Sequence, residues 1–127
     1  MTAAGVAAVG IGAALGAWLR WWLGAAMNAL VPALPMGTLA ANLIGGYLIG
    51  IAVAAFGQYG GLPPELRLFV ITGFLGGLTT YSTFSAESVS LFTTGHYGWA
   101  LAHTLAHLLG SISMTLLGIV SVRALQG

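Results

Sequence analysis

Residues 73–85 read Gly-Phe-Leu-Gly-Gly-Leu-Thr-Thr-Tyr-Ser-Thr-Phe-Ser, three glycines followed by a crowd of hydroxyls, midway along an apolar stretch. Such a run makes poor helix and poor lipid contact. Lipid offers backbone N–H and C=O groups no partners, so irregular backbone at depth survives only where protein or a hydrated cavity receives it. A broken helix that carries neutral donors and acceptors is therefore a candidate ion or solute site.

Other residues add to this inventory. Tyr81 and Phe84 stand three apart, on overlapping faces of a helix. Aromatic rings have a negative face and a positive edge, so their edges would greet an anion and their faces a cation; plain packing uses the same spacing. Asn42 lies in Thr-Leu-Ala-Ala-Asn-Leu-Ile-Gly-Gly-Tyr, where its amide needs partners that either a solute or a neighbouring helix supplies. Ser111, Ser113 and Thr115 fall among apolar residues and either face a pathway or bond back to their own helix. His107 precedes Ser111 by one turn. His103 and His107, four apart, have a metal-ligand spacing. They have no evident third ligand, because His96 belongs to a turn and both glutamates lie elsewhere. Arg20 and Glu87 are charges that face a cavity or partner, or snorkel to water from near a span end. No Gly-x-Ser-x-Gly frames a nucleophile, and the absence of cysteine removes thiolate chemistry, so no enzyme is expected.

Positioning these groups falls to a very apolar chain. Of its 127 residues 58% are hydrophobic and 4% charged, where a soluble domain carries about a quarter charged residues. An integral membrane protein follows, and a formal charge of +1 is too small for nucleic-acid binding. Four apolar stretches, about 5–23, 38–56, 66–92 and 99–122, are each near the length that crosses a bilayer. They make 1–127 one all-α transmembrane domain, with the third helix broken mid-membrane. Trp21 and Trp22 suit the headgroup level, and Pro63-Pro64-Glu65 opens the third span. Glycines four apart, at 12 and 16, 46 and 50, and 73 and 77, let helix backbones approach closely. Arg67 and Arg123 fall on one side and Arg20 near the other, a weak bias under the positive-inside rule. Four short helices leave little room for a private pore, so a two-fold homodimer is expected. It would be antiparallel if both orientations occur.

Gly-Ala-Trp-Leu-Arg at 16–20, Gly-Thr-Leu-Ala-Ala-Asn-Leu-Ile-Gly at 37–45 and the 73–85 stretch together resemble the Fluc (CrcB) fluoride channels. The match runs through all four spans. It implies passive fluoride export across a bacterial-type plasma membrane by an antiparallel homodimer, with two pathways lined by both subunits. It also implies a central sodium ion, held where the third helices break by the backbone carbonyls of Gly76 and Thr79. The family's aromatic pair falls on Tyr81 and Phe84, its pore asparagine on Asn42, and its hydroxyl track on Ser111. Ser82 and Thr83 belong to the same block, and Arg20 and Glu87 match its vestibule charges. Two departures stand out. Tyr81 replaces the usual first phenylalanine, and His107 occupies a place where the track often has a small hydroxyl, which predicts pH-dependent conduction. The competing reading is a small dual-topology drug/proton antiporter. Such a carrier needs a deep carboxylate, and the first span has none.

Overall fold

The computed structural model describes residues 1–127, and every regular element in it is helical. Helix α1 covers Ala3–Met27 and α2 Met36–Gln58. The third apolar stretch, Pro64–Thr93, consists of several pieces: α3 (Pro64–Arg67), a wide π-helical segment (Leu68–Leu75), α4 (Gly76–Leu78) and α5 (Tyr81–Thr93). Helix α6, Tyr97–Gln126, closes the chain. Four stretches, Ala3–Met27, Met36–Gln58, Pro64–Thr93 and Tyr97–Gln126, are long and apolar enough to cross a membrane.

Local chemistry sets the ends. Thr2 Oγ1 accepts the Gly5 N–H at the start of α1. Pro64 opens α3, where its missing N–H costs no helical bond. Helix α2 has no side-chain cap of its own. Asn28 Oδ1, from the end of α1, accepts the N–H groups of Gly37 and Thr38 at 2.8 and 3.1 Å instead. Gly95, at φ +83°, makes the turn between α5 and α6, a left-handed conformation open to glycine at little cost.

Helix α1 packs on the π segment and α4, and α2 packs on α6. Both contacts are backbone against backbone. A Cβ at Gly16 would overlap the Phe74 carbonyl, and one at Gly77 the Ala13 carbonyl. Across the second contact, a Cβ at Gly46 would come within 2.9 Å of the Ser111 carbonyl oxygen. All three glycine pairs thus serve helix contact, the arrangement by which van der Waals packing joins helices in lipid.

Only 20 of the 127 residues are buried, around Leu23, Ala41, Leu75 and Leu78. Large apolar side chains such as Ile11, Trp18, Leu101, Leu108 and Leu116 face outward. A chain with so small an interior and so apolar an exterior is built for a nonaqueous solvent.

The glycine contacts lead to a stability prediction. Gly16→Ala should lower stability in detergent by about 1–3 kcal/mol, because a methyl group must be forced between backbones. Gly57→Ala, where an added Cβ meets nothing within 4 Å, should not lower the same denaturation midpoint, since alanine is the better helix former.

Candidate functional site

The third stretch loses its helix at Thr79 and Thr80, whose φ/ψ values of −86°/155° and −147°/116° are extended. An unbroken helix would send the Thr80 N–H to the Gly76 carbonyl and the Thr83 N–H to the Thr79 carbonyl. The first instead donates to Asn42 Oδ1 at 2.8 Å, and the second to Thr80 Oγ1 at 3.1 Å. The break therefore deprives the Gly76 and Thr79 carbonyls of those donors.

Other groups at the break are paired by substitutes. Asn42 Nδ2 donates to the Thr80 carbonyl at 3.1 Å, so this one amide serves both the N–H and the C=O of Thr80. Arg20 Nε donates to the Gly77 carbonyl at 3.0 Å, putting a cation at the C-terminal end of α4. Thr79 Oγ1 donates to the Leu75 carbonyl at 2.8 Å. Thr80 is the N-cap of α5, a role suited to a threonine hydroxyl.

A groove of about 450 Å³ opens beside the break. Asn42, Thr79, Thr80, Tyr81, Phe84, His107, Ser111 and Thr115 line it, along with Gly76 and apolar residues of α2 and α6. Its floor is aromatic. Tyr81 and Phe84 meet edge to face, with centroids 5.6 Å apart, and Phe84 lies 4.8 Å from the His107 ring. Tyr81 itself is 82% exposed. Asn42 Nδ2 also donates to His107 Nδ1 at 3.0 Å, and His107 Nε2 is buried without a partner.

A second cluster adjoins the groove. His103, fully buried, donates from Nε2 to Glu87 Oε1 at 2.9 Å, and Thr38 Oγ1 donates to Glu87 Oε2 at 2.8 Å. Ser88 Oγ is hydrogen-bonded to His103 Nδ1 at 2.8 Å and lies 3.1 Å from Thr104 Oγ1. The polar ligand atoms of Glu87, His103 and His107 lie within 4.8 Å of one another.

This corrects the expectation that both glutamates lie away from the two histidines. The turn explains the difference: Glu87 and His103 are each eight residues from Gly95, so an antiparallel helix pair brings them to one level. That symmetry about the turn was the available signal, and it also sets Phe84 against His107.

The pattern described as CrcB-like protein, Camphor Resistance (CrcB), matches residues 7–119. A relative from Nitrosospira multiformis is 62% identical over 116 residues, 91% of either chain. Others from Cupriavidus pinatubonensis (63%, covering 95% of this chain and 96% of the relative) and Ralstonia pickettii (60%, covering 97% and 98%) are equally near. All three relatives carry the name fluoride-specific ion channel FluC. The chain belongs to the CrcB family.

As a CrcB protein it is a multi-pass membrane protein. Of the residues singled out from sequence, the CrcB fold gathers Asn42, Gly76, Thr79, Tyr81, Phe84, His107 and Ser111 at one groove. Ser82 and Thr83 stand on the first turn of α5 beside it, while Arg20 and Glu87 reach it through neighbours. Ser113 is exposed elsewhere on α6. His103, Thr38 and Ser88 are polar groups near the site that sequence reasoning did not assign to it.

The cap at the break is open to test. Thr80→Val keeps the shape and removes the oxygen that receives the Thr83 N–H, and should cost about 1 kcal/mol in a reversible unfolding titration. An unchanged midpoint would mean the cap contributes nothing.

Proposed function

We propose that this chain is a fluoride channel that exports fluoride passively, working as an antiparallel homodimer in a bacterial-type plasma membrane. The observation that carries the reading is the groove at the helix break, lined by uncharged donors and an edge-on aromatic pair. A small anion stripped of water needs several such donors. A shortage of full positive charges in the groove keeps it from binding too tightly to leave. The names of the relatives favour fluoride as the anion.

In this reading Asn42, Tyr81, Ser82, Thr83, Phe84, His107 and Ser111 border the fluoride route. Arg20 and Glu87 serve its vestibules. Tyr81 and Gly76 are exposed in the single chain, which supports a second subunit covering that face and completing the route.

The Gly76 and Thr79 carbonyls, relieved of their helical donors, fit a hard cation, which prefers oxygen ligands. With their counterparts in a second subunit they would hold a structural sodium ion in mid-membrane. The ion would supply a fixed positive charge that ties the two breaks together.

Purified protein in liposomes loaded with fluoride or chloride should release fluoride and retain chloride, as followed with ion-selective electrodes. Equal release of both ions would overturn the selectivity. Proton-coupled uptake of an organic cation in place of fluoride release would favour an antiporter. Phe84→Ile keeps bulk and loses the ring edge, and should slow fluoride efflux on the order of tenfold. Unchanged efflux would reduce the ring to packing.

A further inference from the structure

We infer that Asn42 is a positioning residue that locks the His107 ring in the Nε2–H tautomer, so that the groove keeps one buried N–H donor in reserve for fluoride. This rests on the fluoride-channel reading for the identity of the acceptor and on hydrogen-bond counting for the rest.

The count begins at the Thr80 backbone. Its N–H donates to one end of the Asn42 amide and its C=O accepts from the other, at 2.8 and 3.1 Å. Flipping the amide would set oxygen against oxygen and N–H against N–H. The orientation of Asn42 is thereby fixed by backbone, which has only one donor and one acceptor to offer.

An amide nitrogen has two protons and no usable lone pair. One proton goes to the Thr80 carbonyl, leaving the other for His107 Nδ1 at 3.0 Å. Nδ1 must therefore accept. In a neutral imidazole the proton then resides on Nε2, and Nε2 is the buried side-chain polar atom that has no partner. His107 is 3% exposed and lines the groove at the break.

Two consequences follow for the site. The Nε2 lone pair needed by a metal is absent from His107, and it is absent from His103 too, whose Nε2 donates to Glu87, so the three side chains do not form a ready metal site. A buried donor without an acceptor is costly; Nε2 is closed to solvent, so fluoride meets it only as the groove side chains shift, and the bond then formed relieves that cost. Asn42, whose two protons are already spent, then acts on fluoride through His107 and not as a direct ligand.

The test is the ¹⁵N spectrum of histidine-labelled full-length protein in lipid bilayers, assigned with His96→Gln and His107→Gln variants. In the parent protein, His107 should show a protonated Nε2 and a bare Nδ1. Its Nε2–H resonance should shift with added fluoride and not with chloride. Asn42→Asp presents a carboxylate to Nδ1 and should invert the tautomer. Fluoride efflux should then fall by about tenfold or more, while His103 keeps its own tautomer, fixed by Glu87 at Nε2 and Ser88 at Nδ1.

A protonated Nδ1 in the parent, or an even tautomer mixture, would overturn the lock whether or not the variant folds. Retention of the Nε2–H form with full efflux in Asn42→Asp would do the same. Were the parent to show the stated tautomer but release no fluoride, the lock would stand and the channel reading would fall.

Discussion

A peptide unit taken out of a helix and kept out of water must find both a donor and an acceptor. At Thr80 a single side chain supplies both. The Asn42 amide takes the Thr80 N–H and gives to the Thr80 C=O, as a neighbouring strand would. Leaving either group bare in apolar surroundings would cost several kcal/mol. The interruption in the third span is thus held by α2, and whatever the break does depends on α2 staying where it is.

That placement depends in turn on close backbone approach. Helix α2 lies against α6 through Gly46, Gly50 and Gly118, and α1 lies against the π segment and α4 through Gly12, Gly16, Gly73 and Gly77. Two tight seams hold the helices, one joining α2 to α6 beside the groove and one joining α1 to the pieces that precede the interruption. Arg20 links the α1 seam to the break through Gly77, and Thr115 ties the α2–α6 seam together by donating to the Gly46 carbonyl. Rigid seams around an irregular centre allow small uncharged donors to be held at fixed positions, which an anion site requires.

Much of this was legible in the chain. The four apolar stretches, the prolines opening the third and the hydroxyl-rich run at 79–83 each follow from local chemistry, and the helices follow the same pattern. The glycine pairs as contacts are likewise short-range features. What could not be read was pairing across distance. Asn42 and Thr80 are 38 residues apart, and nothing local to either says that the amide is spent on backbone rather than free for a solute. The Glu87–His103 pair was hidden differently: its two residues looked remote until folded about Gly95. Arg20 reads equally as a charge facing a cavity or partner and as one snorkelling to water, and its bond to Gly77 appears only when α1 and α4 are packed together.

Leu68–Leu75 of the third span winds as π-helix, which holds more residues in each turn than the α form, the signature of a residue accommodated within an otherwise regular helix. Each residue of an α-helix turns the chain by about 100°. Removing one residue from α2 or α6 would swing every later side chain on that helix to a new face. Removal within Leu68–Leu75 would be absorbed by rewinding into ordinary helix, with Pro64 and Gly76 keeping their mutual phase. The span therefore has slack in its winding, located ahead of the interruption, where changes in length can be taken up without misaiming Thr80.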